Sequence, residues 1–277
     1  MELLPLGCLA GMPADGIASS GYLVTHGETT IMLDAGPGTA VGLSRMLGSS
    51  PLSAVFISHQ HADHILDLLA VGKMLIGARL RRDPRTGDAV IDESIQPIPL
   101  FVPKGALAVL KQFAALFPVT THPVLDRSFD LAFAVHEYEP GEALSIGALS
   151  LRFELLRHTA PNCGIRIETD GASLVYTGDT GVTDALPLLA EGAGTLLSES
   201  TLRETDTSDH GHLSSQDAGR AAAAAGVAEL ILTHFSSTDA AEHEWHRERA
   251  AAEFARPVEL ARPDHRFTIA PARKVLI

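Results

Sequence analysis

The segment Ser58-His59-Gln60-His61-Ala62-Asp63-His64 carries three imidazoles and a carboxylate within six positions. Neutral imidazole nitrogens and carboxylate oxygens are donors that Zn²⁺ and similar borderline cations favour. His59 and His61 stand two apart, and Asp63 and His64 are adjacent. One short segment can therefore offer imidazoles to one cation and a carboxylate plus an imidazole to a second, a few ångströms away. The plainer alternative is a surface turn that happens to be rich in histidine. The spacing directly after a strand favours metal chemistry.

The elements around the cluster decide where it sits. Ala54-Val55-Phe56-Ile57 reads as a buried strand, and Ile65-Leu66-Leu68-Leu69 opens a helical pattern that runs to Leu80. The cluster thus occupies a strand-to-helix turn. Metal ions need further ligands, and three later strand ends offer them. His158 follows Leu151 to Leu156, Asp179 follows Leu174-Val175-Tyr176-Thr177-Gly178, and His234 follows Leu230-Ile231-Leu232-Thr233. Ends of neighbouring strands can converge on one crevice. Alone, each residue has an ordinary reading as a turn residue or a satisfied polar group. Their joint occurrence with the cluster favours ligation.

The remaining pattern gives strands at Glu2 to Gly7, Gly21 to Thr25 and Thr30 to Leu33, then a helix from Thr39 to Leu47. Asp34, in Asp34-Ala35-Gly36-Pro37-Gly38, either supports a site from behind or caps that helix. Arg79, Arg81, Arg82 and Arg85 could meet a phosphate, but basic residues at a helix C-terminus suit its dipole and stay solvated. The polar stretch that follows, within residues 79–97, reads as an exposed loop or lid. Further strands are expected at Ile98 to Val102, Phe129 to Tyr138, Leu149 to Leu156, Cys163 to Glu168, Ser173 to Tyr176, Thr195 to Ser198 and Glu229 to Thr233. Helices are expected at Lys104 to Phe117, Asp184 to Ala190, Ser214 to Ala225 and Thr238 to Phe254, and short strands finish the chain. The order suits two packed sheets with helices outside, in one domain spanning 1–277.

With 277 residues and 45% apolar content, the chain can bury a sizeable core. Its net charge of −13 disfavours a nucleic-acid partner, since gripping a polyanion needs basic groups. Cys8 and Cys163 do not suggest a secreted disulfide framework. Met1 to Pro5 lacks a signal-peptide pattern, and no apolar stretch is long enough to span a bilayer. A cytoplasmic location without membrane attachment is expected. Cys163 is read as a plain buried cysteine near the pocket, and His26, His122, His136, His243, His246 and His265 as structural.

The set His59-x-His61-x-Asp63-His64, His158, Asp179 and His234 resembles the metallo-β-lactamase superfamily over essentially the whole chain. Gly164-Ile-Arg-Ile-Glu and Tyr176-Thr-Gly-Asp-Thr resemble its phosphodiesterase branch, which includes ribonuclease Z and bacterial cyclic-nucleotide phosphodiesterases. The resemblance implies an α/β fold of the α+β kind, a four-layer αβ/βα sandwich with the site at one edge. It implies that His59, His61 and His158 hold one metal, that Asp63, His64 and His234 hold another, and that Asp179 bridges them. It implies two divalent ions, zinc first, with manganese or iron also compatible with such donors. Hydrolysis would proceed through a hydroxide shared by the metals.

The leaving alkoxide then needs a proton. His212, in Gly211-His212-Leu213-Ser214, stands where the resembling phosphodiesterases act on the phosphate or leaving group, and Glu199 could orient it. A helix-entry role for His212, or His210 in its place, is the alternative. Asp63, His212 and Glu199 are the candidate catalytic residues. Transfer-RNA processing enzymes of the branch carry His-Glu-Ala-Thr and Gly-His-Ser-Thr segments and a basic arm. Here Ser198-Glu-Ser-Thr and Gly211-His-Leu-Ser stand instead, and no such arm is found. The opening Leu6-Gly-Cys and Ala18-Ser-Ser-Gly-Tyr-Leu and the later Glu229-Leu-Ile-Leu-Thr-His resemble cyclic-nucleotide phosphodiesterase-like proteins more closely, and that resemblance implies a small phosphodiester such as a cyclic nucleotide as substrate. Transfer-RNA 3′-processing, lactone or ester hydrolysis, and a non-catalytic metal-binding role are the alternatives. A homodimer is a family-based expectation.

Overall fold

The computed structural model describes residues 1–46 and 52–271, so Leu47, the expected end of the first helix, lies outside the described residues. Two large sheets carry the fold. In the first the strands lie in the order Phe267–Thr268, Glu2–Leu9, Gly21–His26, Thr29–Leu33, Ala54–Phe56, Ile98–Pro103 and Phe133–Tyr138, with Ala18–Ser19 paired beside Glu2–Leu9. In the second the order is Ala143–Ile146, Leu149–Leu156, Asn162–Glu168, Ser173–Tyr176, Thr195–Glu199, Glu229–Thr233 and Val258–Leu260. Each sheet turns from antiparallel to parallel pairing, at Thr29–Leu33 in the first and at Ser173–Tyr176 in the second.

Strand alternation builds the layers. Ile31, Leu33, Ala54 and Phe56 share a core with Phe153, Ile165 and Tyr176 of the other sheet. Their neighbours Met32, Val55 and Ile57 point the opposite way and pack with Leu43, Val71, Leu110 and Phe129 of the helical layer. The second sheet likewise carries helices Ala185–Leu189, Ser215–Ala225 and Ala240–Glu253. The result is helix, sheet, sheet, helix, the four layers expected. Strands covered on both faces read as continuous apolar runs, which is why Ala54-Val-Phe-Ile and Leu230-Ile-Leu were legible as buried strands.

Four expectations are corrected. The helix expected from Ile65 to Leu80 is two, Ala62–Ile65 and Leu68–Gly77. Asp67 lies between them. Its amide donates to the Ala35 carbonyl at 2.9 Å, and its Oδ2 accepts from the Ala40 amide at 2.8 Å. Asp67 therefore serves the start of helix Thr39–Met46, and Asp34 is free for another role. Phe129 to Tyr138 is helical over Ser128–Ala132 before becoming a strand at Phe133, because Phe129 and Phe133 also satisfy helical spacing, with rings 5.2 Å apart. Within 79–97 the chain forms a hairpin, Leu80–Arg82 with Ala89–Ile91. Arg79 is buried rather than solvated and donates to the Leu131 carbonyl, while Arg81 pairs with Asp92 at 3.2 Å. Strand Ala143–Ile146 carries a weak alternation that the sequence reading missed. Among the described residues no helix is long and apolar enough to cross a membrane.

Candidate metal centre

The site forms where the parallel strands of both sheets end. Asp34 follows Thr29–Leu33, the His59 turn follows Ala54–Phe56, Asp179 follows Ser173–Tyr176, Glu199 ends Thr195–Glu199, and His234 follows Glu229–Thr233. The sheets are tied together at this edge. Tyr22 Oη meets Thr233 Oγ1 at 2.7 Å, and the Cys163 amide donates to the Ser58 carbonyl at 3.1 Å; within the first sheet the Tyr138 hydroxyl donates to the Ile57 carbonyl at 2.7 Å. Gly36 lets the Asp34 loop lie against the ligand turn: a Cβ there would stand 1.9 Å from the Asp63 carbonyl oxygen.

All seven expected ligands converge, in two groups that share Asp179. His59, His61, His158 and Asp179 form one, and Asp63, His64, Asp179 and His234 the other; within each, the donor atoms lie within 4.8 Å of one another. In the first, His61 Nδ1 is 3.0 Å from His59 Nε2 and 3.1 Å from His158 Nε2, and Asp179 Oδ2 is 3.6 and 3.9 Å from those two nitrogens. In the second, Asp179 Oδ1 is 3.3 Å from His64 Nε2 and 3.4 Å from His234 Nε2, and Asp63 Oδ2 is 3.6 and 3.2 Å from the same atoms. Tetrahedral donors about 2.0 Å from a zinc ion lie about 3.3 Å from one another, so both groups have the right size.

In four of the five rings, His59, His64, His158 and His234, the far side fixes the tautomer. His64 Nδ1 donates to Asp34 Oδ2 at 2.7 Å, and His158 Nδ1 donates to the Gly211 carbonyl at 2.8 Å. His59 Nδ1 lies 3.1 Å from Ser58 Oγ, which donates on to Asp34 Oδ2 at 2.8 Å. His234 Nδ1 lies 2.7 Å from Thr201 Oγ1, which donates to Glu199 Oε2 at 2.7 Å. Each Nε2 is then left with its lone pair facing the centre. Without a cation, His59 Nε2 and His158 Nε2 face one His61 nitrogen that can hold at most one hydrogen. His64 Nε2 and Asp179 Oδ1 are buried with no hydrogen-bond partner at all. Buried polar atoms without partners are costly, and cations would satisfy both. The donors fit divalent metal ions.

The electrostatics of the ion-free site differ between the groups: burial would lower His64, but the Asp179 and Asp34 carboxylates outweigh it and hold the ring well above its usual range, so a cation there would take the place of a proton. Burial holds His59 well below its usual range and pushes His158 down to about 4, so both present neutral rings. Burial alone would raise the Asp179 carboxyl, but His234, His64 and His59 around it hold it well below the usual carboxylate range. Asp34 and His234 both adopt left-handed backbone, with φ of 57° and 60°. That conformation is uncommon for a histidine and costs on the order of 1 kcal/mol; here it turns the ring into the site.

Beside the two groups sit His212 and Glu199. Glu199 is fully buried. His212 Nδ1 meets its Oε1 at 2.9 Å and Oε2 at 3.1 Å, and the Thr180 amide donates to Oε1 at 2.6 Å. Burial lowers the His212 pKa, but the Glu199 hydrogen bond and charge outweigh it and lift the ring to about 8. The His212 ring lies 5.1 Å from that of His158 and 5.7 Å from that of His234, between the two groups. Exposed His210 meets His212 edge to face with ring centres 4.8 Å apart and makes no such bond to a carboxylate. The site opens to solvent at half-buried His61, while the His158 side chain is covered.

Asp34, whose role the sequence left open, stands behind the ligands: it accepts from the Ser58 amide at 2.7 Å and from the Tyr176 hydroxyl at 2.6 Å besides His64. Ser58, Thr201 and Tyr176 lie inside quoted motifs but carried no signal of these contacts. Cys8 and Cys163 are free and buried, and burial pushes both thiols up to about 12. His122 accepts from the Leu125 amide at a helix start, and His246 is buried against Ser215; both are structural.

A family model described as a beta-lactamase superfamily domain matches residues 29–235. The Mycobacterium leprae protein ML1173 is 34% identical over 277 residues, covering 99% of this chain and 90% of the relative. A ribonuclease Z of Mycobacterium bovis is 30% identical over 299 residues, covering 99% of this chain and 100% of the relative. Among solved structures, the metallo-β-lactamase-fold protein YhfI of Bacillus subtilis superposes with a TM-score of 0.76 at 25% identity, covering 96% of this chain and 99% of that one.

Proposed function

This chain belongs to the metallo-β-lactamase superfamily, whose members include metal-dependent hydrolases, and from that premise we propose that it is a dinuclear phosphodiesterase acting on a small phosphodiester such as a cyclic nucleotide. One observation carries the reading: two donor groups share the two oxygens of Asp179, and a histidine–glutamate pair stands beside them.

His59, His61 and His158 would hold one cation, Asp63, His64 and His234 the other, and Asp179 both. Two such cations, zinc foremost, supply Lewis acidity towards water and the phosphate oxygens. The protein positions the rest. The Gly11 amide donates to Asp63 Oδ2 at 2.7 Å and fixes that carboxylate. Glu199 holds His212 by Nδ1, so Nε2 is left for the substrate. At a pKa of about 8 the ring carries protons on both nitrogens near neutral pH and can protonate a departing alkoxide from Nε2. Glu199 also reaches His234 through Thr201, which links the proton donor to a metal ligand.

The test is metal analysis of the purified protein, with turnover of bis(p-nitrophenyl) phosphate, 2′,3′- and 3′,5′-cyclic nucleotides, a tRNA precursor and a lactone. Two metals per chain and preferential cleavage of a cyclic nucleotide are expected. Two metals without hydrolysis of any ester would overturn the reading in favour of a binding protein. Transfer-RNA 3′-processing is the second reading. It draws on the full-length match to a ribonuclease Z and is opposed by the net charge of −13. Efficient cleavage of the precursor with slow turnover of small diesters would select it, and preference for the lactone would select ester hydrolysis.

A further inference from the structure

Arg157 stands between the end of strand Leu149–Leu156 and the ligand His158, yet its guanidinium turns away from the cluster. It donates to three backbone carbonyls: Nε to Val182 at 3.1 Å, Nη1 to Ser208 at 2.6 Å and Nη2 to Asp206 at 3.1 Å. Its own carbonyl accepts from the Gly181 amide at 2.8 Å. One side chain thus joins two segments distant in sequence. One begins directly after Asp179, which both donor groups share; the other is the irregular loop 203–213 that presents His212.

The residues after Arg157 continue the same contact. His158 Nδ1 donates to the Gly211 carbonyl at 2.8 Å, and the Thr159 amide donates to the His210 carbonyl at 3.0 Å. Within the loop, the Asp206 carboxylate accepts from the Ser208 amide at 2.8 Å and the Gly211 amide at 2.9 Å. The loop forms no helix or strand of its own; its two ends are held by the Leu202 amide on the Leu213 carbonyl at 3.0 Å and by Thr205 Oγ1 on Asp217 Oδ1 at 2.9 Å, and its middle, 206–211, is held by the ties to Arg157, His158 and Thr159. A planar guanidinium with five donors in a fixed fork suits three carbonyls from different directions; an ammonium does not.

We propose that Arg157 is a positioning residue that sets His212 against the metal donors, by clamping loop 206–211 onto the segment that follows Asp179. The proposal rests on the reading of His212 as proton donor to the leaving group. Its consequence is specific: loosening the clamp should harm the step that needs the proton and leave metal binding intact.

The structure supplies two independent ways to loosen it. Arg157→Ala removes the guanidinium. Gly181→Ala leaves the arginine in the sequence but displaces it, since a Cβ at 181 would stand 1.8 Å from Nη2 and 2.3 Å from Cζ of Arg157. The assay compares diphenyl phosphate, whose phenol is a poor leaving group, with bis(p-nitrophenyl) phosphate, whose nitrophenol departs readily. Both variants should keep the wild-type metal content. Both should lose on the order of 10²-fold in turnover of diphenyl phosphate, the scale of an ångström misplacement, and far less with the nitrophenyl ester. Arg157→Lys should recover part of the loss. The double variant Arg157→Ala/His212→Ala should be no slower than His212→Ala, because the arginine acts through that ring.

Equal slowing of both esters by Arg157→Ala, loss of metal, or losses that multiply in the double variant would overturn the proposal. If His212→Ala shows the leaving-group effect and neither Arg157→Ala nor Gly181→Ala does, the positioning role fails and the proton donor stands. If His212→Ala itself slows both esters equally, the proton-donor reading fails and the proposal with it.

Discussion

Replacing Asp34 by Asn tests whether the residues behind the ligands set metal affinity. The left-handed backbone at 34 tolerates asparagine at least as well as aspartate, so the substitution changes hydrogen bonding without adding strain. Three donors meet Oδ2: His64 Nδ1 at 2.7 Å, Ser58 Oγ at 2.8 Å and Tyr176 Oη at 2.6 Å. The Ser58 amide meets Oδ1 at 2.7 Å and cannot reorient, so the amide nitrogen must take the Oδ2 side. The two hydroxyls can rotate to accept from it. His64 can accept only by moving its proton to Nε2, the atom that should ligate. Loss of such a supporting contact typically weakens a metal 10- to 100-fold, about 1.4 to 2.7 kcal/mol. The Asp63–His64–His234 group should suffer first, because Asp34 reaches His59 only through Ser58. Competition with a chromophoric chelator, with stoichiometry by mass spectrometry, measures the affinity, and unfolding in chelator separates it from fold damage. Two metals held at wild-type affinity would refute the reasoning. Ser58→Ala supplies the complement and should weaken the His59 group more than the His64 group.

Further outcomes follow from the same contacts. Asp179→Ala should lose the ligand both groups share and abolish turnover; near-normal activity with full metal content would refute the bridging role. Thr201→Val should cut the link from Glu199 to His234 and lower metal affinity about tenfold, read in the same chelator competition; unchanged affinity would show the link to be idle. Saturating metal at about 100 times its dissociation constant should stabilise the fold by about 2.7 kcal/mol over the chelated protein, visible as a rise in Tm; no rise would argue against the donor groups binding metal. Buried His246 is pushed down to about 4 from an ordinary 6.5, so the native state favours its neutral form. Its contribution is complete above pH 6.5 and is lost as pH falls towards 4, by at most about 3 kcal/mol. Denaturant titrations of wild type and His246→Asn at pH 7.5 and 5 should therefore converge at the lower pH; parallel curves would count against it.

The sequence by itself determined the donor types, their order and the elements that carry them. Strands covered on both faces must be apolar, so Ala54-Val-Phe-Ile and Leu230-Ile-Leu announce buried strands, and polar donors directly after them fall at one sheet edge. Helix boundaries were less legible where one residue serves two patterns: Phe129 and Phe133 fit either period, and Asp67 breaks a continuous apolar run to bond a loop elsewhere. What tertiary structure alone decided is which distant residue completes each contact. Asp34 meets Tyr176 across 142 residues, His212 finds Glu199, and Arg157 reaches 182, 206 and 208. These contacts arise from how two sheets pack and where an irregular loop crosses their edge. Local periodicity records which face a side chain takes and carries no information about the partner it meets there. The turn at 58–64 therefore declared its chemistry in sequence, while the role of Asp34, which holds His64 directly and His59 through Ser58, became visible only when strands Thr29–Leu33 and Ala54–Phe56 were set side by side.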